Sequence, residues 1–301
     1  MTHDLLEAAR RFADAHVDVD GVARTPFPGF VLFREAAPTP LNYCVNKPLV
    51  AMVLQGAKRV TVGGNTVDFG AGQSLLITAE VPTISQITLA TSGAPYYSLV
   101  LELDLALVEA LVVEMGTAPF VVGAPVKVES TETEVRDAAF RLLHLLDRPA
   151  SVPMLQEQLM RELHFWLLAG RHGGAIRALG VTDSYARRVG RAVSLIRAEY
   201  VKPLPMERLA EAAGMSVSTF YTHFRAFTSL TPLQYQKQLR LIEARRSMLA
   251  EGTPIAHAAY GVGYESIPQF TREYARMFGN PPARDVREAR TRTRRLNNAS
   301  N

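Results

Sequence analysis

The chain contains a single cysteine among its 301 residues. One cysteine excludes an intramolecular disulfide and any zinc site built from four cysteines. Long apolar runs are missing too, since no uninterrupted stretch approaches the roughly 18 residues that a membrane span requires. The first residues, MTHDLLEAARRFADAH, are amphipathic and lack the apolar core of a secretory signal. We therefore expect a cytoplasmic protein with no membrane partner.

Several motifs of catalysis are also absent. The sequence has no P-loop, no dinucleotide fingerprint and no G-x-S-x-G motif. Histidines, which would bind a metal on strands, do not occur between residues 27 and 104. The seven histidines are His3, His16, His144, His164, His172, His223 and His257. These absences predict a protein that is not an enzyme and that has no cofactor and no metal.

Charge is distributed unevenly although the net charge is only +4. Residues 1–182 carry a net charge of −5, whereas residues 183–301 carry +9. Such asymmetry favours a second half that meets a polyanion. An ordinary basic domain with solvated arginines has the same charge, so charge alone leaves both interpretations open.

The two halves also differ in their hydrophobic pattern. Short apolar runs separated by Gly, Pro and Asn fill residues 26–104, and VGGNTV at 62–67 is typical of a hairpin. This pattern predicts an antiparallel barrel or sandwich. Two amphipathic helices within 129–170 are expected to pair as a hairpin, and the polar, glycine-containing segment 171–185 is expected to be a linker.

Beyond residue 185 the pattern predicts helices alone. They are expected at about 185–200, 205–213, 217–227, 232–250, 254–260, 267–278 and 281–290, and the tail 291–301 is expected to be frayed. Two of the junctions have the same form, a short helix, a glycine corner and a helix that a serine opens. The corners hold Gly214 with Ser216, and Gly261 and Gly263 with Ser266.

A long helix connects these two units. Thr231 is placed as its N-cap, Pro232 as its first residue and Gln234 as its third. Ser266 and Gln269 also have the spacing of a capping box. Two helix–turn–helix units on one basic domain are much more specific than one, since they can enter successive major grooves about 34 Å apart.

These residues carry a family resemblance. LAEAAGMSVSTFYTHFRAFTSLTPLQYQKQLRLIEARRSML followed by VGYESIPQFTREYARMFGNPPARDV closely resembles the DNA-binding domain of AraC/XylS-type bacterial transcriptional regulators, over about 190–288. FPGFVLF, LVAMVLQGAKRVTVG, GQSLLITAEVP and YYSLVLELD resemble the cupin-like N-terminal domain of one AraC-type subfamily. The resemblance implies a two-domain α+β fold, with a cupin-like β-barrel and helical hairpin before an all-α domain of two helix–turn–helix units.

The same resemblance implies domains, partners and function. An effector-binding and dimerisation domain would occupy 1–170, with its helical part at 129–170, and the DNA-binding domain would occupy 186–290. The expected protein is an effector-responsive regulator that binds double-stranded promoter DNA as a homodimer and controls recruitment of RNA polymerase. The effector, the operator and the sign of regulation are left open by the sequence.

The family motif also indicates which side chains contact DNA. The positions implied to contact bases are Ser218, Tyr221, Thr222, Gln269, Thr271 and Arg272. The positions expected to contact phosphates are Ser216, Arg225, Lys237, Ser266 and Arg276. Ile267 and Pro268 depart from the family pattern, which commonly has polar residues there. This departure predicts that the second unit reads fewer bases, or reads DNA shape.

For the effector, the candidates are polar residues of the predicted strands. They are Tyr43, Cys44, Gln55, Gln86, Tyr96 and Tyr97, each of which also has a structural interpretation. Cys44 is either a small buried apolar residue or a thiol that senses electrophiles or oxidants. Two other classes of protein remain open at this point. One is an architectural DNA binder without an effector, and the other is a cupin-type enzyme fused to a DNA-binding domain, which the histidine positions disfavour.

Overall fold

The structure, a computed structural model, describes residues 2–116, 125–181 and 183–299. The N-terminal part opens with helix α1 (Thr2–His16), which buries Leu5, Ala9 and Ala13 against the strands that follow. Those strands are β1 (Val22–Arg24), β2 (Phe30–Glu35), β3 (Asn42–Asn46), β4 (Leu49–Gln55), β5 (Ala57–Val62), β6 (Asn65–Gly70), β7 (Gln73–Ile77), β8 (Val81–Leu89), β9 (Tyr96–Glu102) and β10 (Val126–Ser130).

Two antiparallel sheets are formed by these strands. One has six strands in the order β1-β2-β9-β4-β7-β10, and the other has four in the order β3-β8-β5-β6. Side chains alternate between the two faces of each strand. In β9, Tyr97, Leu99 and Leu101 pack into the core shared with α1, whereas Tyr96 and Ser98 point to the opposite face, between the sheets. The predicted antiparallel β-domain, including the β5–β6 hairpin, is confirmed.

Helices α2 (Leu105–Met115), α3 (Thr133–Leu145), α4 (Val152–Ala169) and α5 (Gly173–Gly180) follow, with a short 3₁₀ turn at Pro149–Ser151. Helices α3 and α4 pack together as the expected hairpin, and α3 also packs on α1. The sequence did not indicate α2. This helix begins after Asp104, whose carboxylate accepts hydrogen bonds from the backbone N–H groups of Ala106 and Leu107.

The linker prediction for 171–185 needs a correction, because α5 occupies most of that segment and buries Ile176, Ala178 and Leu179. Its glycines allow close packing rather than flexibility. A Cβ at Gly173 would overlap the carbonyl oxygen of Leu168. A Cβ at Gly180 would lie 2.9 Å from Cγ2 of Val112 in α2. Thr182, within the same predicted linker, lies outside the described residues.

The C-terminal part is helical, as predicted. Its helices are α6 (Tyr185–Glu199), α7 (Met206–Ala212), α8 (Val217–Thr228), α9 (Pro232–Ala250), α10 (Ile255–Gly261), α11 (Ile267–Phe278) and α12 (Pro282–Ala299). Helix α12 extends nine residues beyond the predicted end at 290, so the tail expected to be frayed is helical up to Ala299. The last two residues of that tail lie outside the described part.

By their internal contacts the residues form two compact units, Met1–Gly190 with Thr222–Ser229, and Arg191–Tyr221 with Leu230–Asn301. The core of the second unit includes Ile196, Leu209, Tyr235, Leu239 and Tyr274, all buried. Among the described residues, no helix combines the length and the apolar character needed to cross a membrane.

Candidate nucleic-acid interface

The first helix–turn–helix unit consists of α7 and α8. Gly214, between them, has a φ of 62°, in the left-handed region that the predicted corner requires. The Oγ of Ser216 then accepts a hydrogen bond from the N–H of Thr219 at 3.2 Å and thereby caps α8. Phe220 and Phe224 are fully buried on one side of α8. The other side therefore presents its polar residues to solvent.

The candidate base-contacting residues of the first unit lie on that outer side. Ser218, Tyr221 and Thr222 are all exposed, and so is Arg225 one turn further along. Tyr221 is 42% exposed although it is a large aromatic residue. An exposed ring with a hydroxyl can both pack on a sugar and donate a hydrogen bond, so its position suits a contact surface.

The second unit repeats this arrangement with α10 and α11. Gly263 has a φ of 85°, which favours glycine. A Cβ at this position would also overlap the carbonyl oxygen of Val201, so the corner requires glycine for two independent reasons. Gly261 is the last residue of α10 instead. Phe270, Tyr274 and Phe278 follow at a spacing of four residues, with ring centroids 5.4 Å and 4.4 Å apart, and fix the buried side of α11.

Opposite this aromatic row, Gln269, Arg272 and Arg276 are exposed and Thr271 is half-buried. Within the part of the chain that the structure describes, the side chains of Arg272 and Arg276 make no ion pair. A guanidinium that is free of internal partners remains available for a guanine edge or a phosphate. The structure thus places two arginines of the second unit on one exposed face.

A carboxylate that the sequence did not single out organises this face. Glu273, on α11, accepts hydrogen bonds from Tyr264 Oη at 2.8 Å, Lys237 Nζ at 3.0 Å and Gln269 Nε2 at 3.2 Å. Burial works to raise the pKa of Glu273, but the three hydrogen bonds outweigh it and hold the pKa below its usual value. Glu273 is therefore ionised at neutral pH, beside two candidate DNA contacts.

This network involves two residues singled out in the sequence, Gln269 and Lys237. Gln269 Nε2 donates to Glu273, and the side chain of Gln269 accepts no hydrogen bond from the backbone N–H of Ser266, so only one half of the predicted capping box forms among the described residues. Its remaining bond runs from the N–H of Gln269 to Oγ of Ser266 at 3.5 Å. Lys237, predicted to contact a phosphate, is held by Glu273 in an ion pair.

The two capping serines differ in what they can still offer. The hydroxyl of Ser216 already donates to Oγ1 of Thr219 at 2.9 Å, whereas Ser266 accepts one bond through its oxygen. A hydroxyl whose proton is uncommitted can donate to a phosphate at a helix N-terminus, where the helix dipole adds attraction. Pro268 lies exposed in the first turn of α11, where a missing N–H costs no helical bond.

Helix α9 holds the second unit in place. It begins with a complete capping box between Thr231 and Gln234, and Pro232 is its first residue, as predicted. Arg240 on this helix donates to the carbonyl oxygens of Tyr200 at 2.6 Å, Val201 at 2.9 Å and Lys202 at 3.2 Å. The same guanidinium donates to the carbonyl oxygen of Gly263 at 3.1 Å.

A second tie lies at the far end of α9. Arg245 Nε lies 2.8 Å from Oδ2 of Asp285, and Tyr274 Oη donates to the same oxygen at 2.7 Å. Only 21% and 14% of the arginine and aspartate side chains are exposed, so screening by water is weak. One carboxylate thus joins α9, α11 and α12, and orients the recognition helix of the second unit.

The structure separates the six effector candidates into three places. Cys44 and Tyr96 point between the sheets. Tyr43 and Gln86 lie on the other face of the four-stranded sheet, where Gln86 Nε2 donates to the carbonyl of Thr39 at 2.9 Å. Gln55 and Tyr97 line a cavity of about 300 Å³ beside α1.

That cavity beside α1 is already committed to internal ion pairs. Tyr97 Oη donates to Oδ1 of Asp14 at 2.7 Å, and the same oxygen accepts from Arg34 at 2.6 Å. Gln55 Nε2 donates to the carbonyl oxygen of Pro95 at 2.7 Å. These contacts give both candidates a structural role.

Comparison with known proteins gives two domain matches. Residues 26–175 match the family model of the AraC-type transcriptional regulator N-terminus, and residues 209–288 match that of a helix-turn-helix domain. The transcriptional activator RhaS of Escherichia fergusonii is 26% identical over 132 residues, which are 43% of this chain and 46% of RhaS. RhaS of Salmonella arizonae is 28% identical over 111 residues, 37% of this chain and 39% of RhaS. The chain thus spans less than half the length of these curated relatives.

Among solved structures, ToxT from Vibrio cholerae with a bound unsaturated fatty acid has the same fold. The two superpose with a TM-score of 0.56 over 87% of this chain and 96% of ToxT, at 10% sequence identity. A likeness at this identity concerns the fold alone. With the two domain matches in this order along the sequence, the chain belongs to the AraC-type transcriptional regulators.

Proposed function

We propose that the chain is a sequence-specific DNA-binding regulator that responds to a small-molecule effector. The observation that carries this proposal is the repeated unit in which a capped helix exposes polar and basic side chains opposite a buried aromatic row. Arg272 suits guanine O6 and N7, Gln269 suits adenine, and the methyl group of Thr271 suits thymine. The matches to RhaS, a transcriptional activator, support the same function.

In this proposal the first unit contacts bases through Ser218, Tyr221 and Thr222, and the second through Gln269, Thr271 and Arg272. Phosphates are contacted by Ser216, Arg225, Lys237, Ser266 and Arg276, which position the protein without reading sequence. Double-stranded promoter DNA is the partner, and recruitment of RNA polymerase is the step that is controlled. The protein acts in the cytoplasm and has no catalytic activity, as befits a relative of transcription regulators.

The N-terminal domain supplies regulation in this proposal. The bound fatty acid of ToxT belongs to a protein of the same fold, which supports a ligand site in this domain. We also propose a homodimer formed through the helical part at 129–170. Helix α4 exposes Met154 (73%), Leu155 (46%) and Phe165 (36%), which is unusual for large apolar side chains with no partner surface.

The proposal is tested by genome-wide DNA pull-down with the purified full chain at near-physiological salt. We expect a few sharp sites near promoters, and we expect Arg272→Ala to weaken them by about 1–3 kcal/mol. Arg246→Ala is the matched control, because Arg246 is exposed on α9, pairs with Glu243 and Glu251, and is not among the residues proposed to contact DNA.

An architectural DNA binder would give another outcome. Coverage would be diffuse, affinity would fall steeply with salt for every sequence, and Arg272→Ala would weaken all fragments alike. That result, obtained with and without cell extract as a source of effector, would contradict the proposed sequence-specific function.

A further inference from the structure

A lysine lies on the inner face of the four-stranded sheet, opposite the six-stranded sheet. Along β5, Val60 and Val62 are buried on the inner face, and Lys58 lies on the same face two residues earlier. Its Nζ lies 5.4 Å from the ring centroid of Phe33, on the inner face of β2 in the opposite sheet. Burial lowers the pKa of the Lys58 ammonium, and the nearby Cys44 opposes this only in part.

No carboxylate lies within ion-pair distance of Lys58 among the residues that the structure describes. This sets it apart from its neighbour Arg59, which faces outward and pairs with Asp68 at 2.8 Å. Lys58 is half-buried, and an ammonium that is partly withdrawn from water without an anion is destabilised unless an anion is supplied from elsewhere. A cation–π contact with Phe33 offsets only part of that cost.

Two further polar groups face the same space. Ser98 lies directly opposite Phe33 in the β2–β9 pairing, and Tyr96 lies two residues earlier on the same face. Both side chains are almost completely buried. Oη of Tyr96 and Oγ of Ser98 interact with each other, but neither atom has a partner at full hydrogen-bond geometry among the described residues. Buried hydroxyls are nearly always well hydrogen-bonded, so this pair retains bonding capacity for a further partner.

Other polar groups nearby are satisfied internally. Asn46 Nδ2 donates to Oγ1 of Thr83 at 2.7 Å, and Cys44 Sγ lies 3.3 Å from that oxygen. The rest of the inner surface is largely apolar and includes Val53, Val60 and Ile87. Its other polar groups are the hydroxyl of Ser85, opposite Val60, and the carboxyl of Glu35, opposite Tyr96 at the end of β2. The ammonium of Lys58, the two hydroxyls and the apolar residues around them suit one negative charge on a hydrocarbon body. A phosphate, with two charges, would bring more charge than one ammonium can neutralise.

We propose that the interior between the sheets binds the carboxylate of a small organic acid, with Lys58 as its counter-charge and with Ser98 and Tyr96 as hydrogen-bond donors. This inference rests on the proposed effector-responsive function and names the chemical class of the effector. The apolar residues around these groups contact the hydrocarbon part of the acid.

The test uses the full chain and a panel of acids with neutral counterparts of the same shape, namely benzoate with benzamide and hexanoate and decanoate with their amides. Binding is measured by calorimetry and by the shift in thermal unfolding. We expect at least one acid to bind while its amide does not. Lys58→Met should weaken that acid about tenfold or more. Arg59→Met, one residue along β5 and facing outward, should bind it like the wild type.

Lys58→Met removes an unpaired ammonium from an apolar site, so we expect this variant to fold. In the absence of acid, its thermal unfolding should occur at a higher temperature than that of the wild type. Ser98→Ala is the second variant. It should lower the affinity for the acid while the positive charge of Lys58 stays in place. The inference is wrong if no acid binds the wild type, or if Lys58→Met binds the acid as the wild type does.

Promoter binding is measured on the same samples to separate the two proposals. Sharp promoter sites with no acid binding would overturn the acid site and leave the regulator intact. Acid binding with only diffuse DNA binding would support the site and contradict the regulator.

Discussion

The Nζ of Lys237 lies 3.0 Å from Oε1 of Glu273, and this pair joins the long helix α9 to the recognition helix of the second unit. The same carboxylate holds Gln269, so an acidic group lies among side chains that are proposed to meet DNA. A carboxylate in this position repels phosphates and fixes the orientation of its neighbours. If the proposed contacts are made, we expect Glu273 to favour discrimination between DNA sites over affinity for DNA in general.

Glu273→Gln tests this role. Loss of the charge should increase the affinity for random DNA by about fivefold at low salt, equivalent to about 1 kcal/mol. It should also lower the ratio of the affinity for the promoter site to the affinity for random DNA. Fluorescence anisotropy with a promoter site and a scrambled duplex measures both quantities. Glu288→Gln, on α12, is the control that removes a charge paired with Arg284 instead. Equal affinities for wild type and Glu273→Gln on both duplexes would refute the role.

Arg276→Ala should behave unlike Arg272→Ala. A phosphate contact carries no sequence information, so its loss should lower the affinity for all duplexes about equally. It should also lower the number of counterions released on binding, measured from the salt dependence, by about one. Binding isotherms at several salt concentrations on two different sites give both values. If Arg276→Ala relaxed the preference at a single base pair, the residue would be a base contact instead.

Arg240 is expected to control the stability of the second unit. Its guanidinium donates to four backbone carbonyls. Among the amino acids, only arginine has this planar fork of five N–H donors. Arg240→Ala should lower the free energy of unfolding by about 2–4 kcal/mol, and Arg240→Lys should recover only part of it. Urea titration followed by far-UV circular dichroism measures the loss. The same two changes at exposed Arg246 should stay within about 0.5 kcal/mol of the wild type.

His164 should make stability depend on pH. Burial lowers the pKa of His164 below its ordinary value of 6.5. In its neutral form Nδ1 bonds the carbonyl of Met160 at 2.8 Å and Nε2 accepts the N–H of Asp104 at 3.2 Å. The unfolded chain binds the proton more readily, so this histidine leaves stability intact above pH 6.5 and lowers it as the pH falls further.

The slope from this one group reaches at most about 1.4 kcal/mol per pH unit. Thermal unfolding between pH 7.5 and 5 measures it, and His164→Gln should flatten the dependence. His16→Gln serves as the control at an exposed site. An unchanged pH profile in His164→Gln would assign the effect to another group, such as buried His172, whose pKa burial also lowers.

The helix–turn–helix pair could be predicted because its signals are local. Gly214, the capping residue Thr231 and the aromatic spacing of α11 each act within a few residues, so the bounds of α9 and α11 agree with the sequence. The network of Glu273 could not be predicted in this way. Its donors Tyr264 and Lys237 come from other elements, and only their packing brings them together.

The N-terminal domain illustrates the same limit. Turn residues revealed its strands, but the register that places Cys44 and Tyr96 inside and Gln86 outside depends on pairing across the sheet. The glycines and polar residues of the segment with α5 favour a linker when the sequence is considered alone. In fact Gly180 is there because α2 passes too closely for a side chain.

The four bonds of Arg240 also govern how the DNA-binding part can be produced by itself. Three of its acceptors, the carbonyls of Tyr200, Val201 and Lys202, precede both helix–turn–helix units in the sequence. A fragment that starts at α7 would lose them and leave the corner at Gly263 held by a side chain with one remaining partner. Residues 200–202 directly follow α6, so an expression fragment that begins at this helix retains all four acceptors of Arg240. Such a fragment starts well before Ser218, the first residue proposed to contact a base.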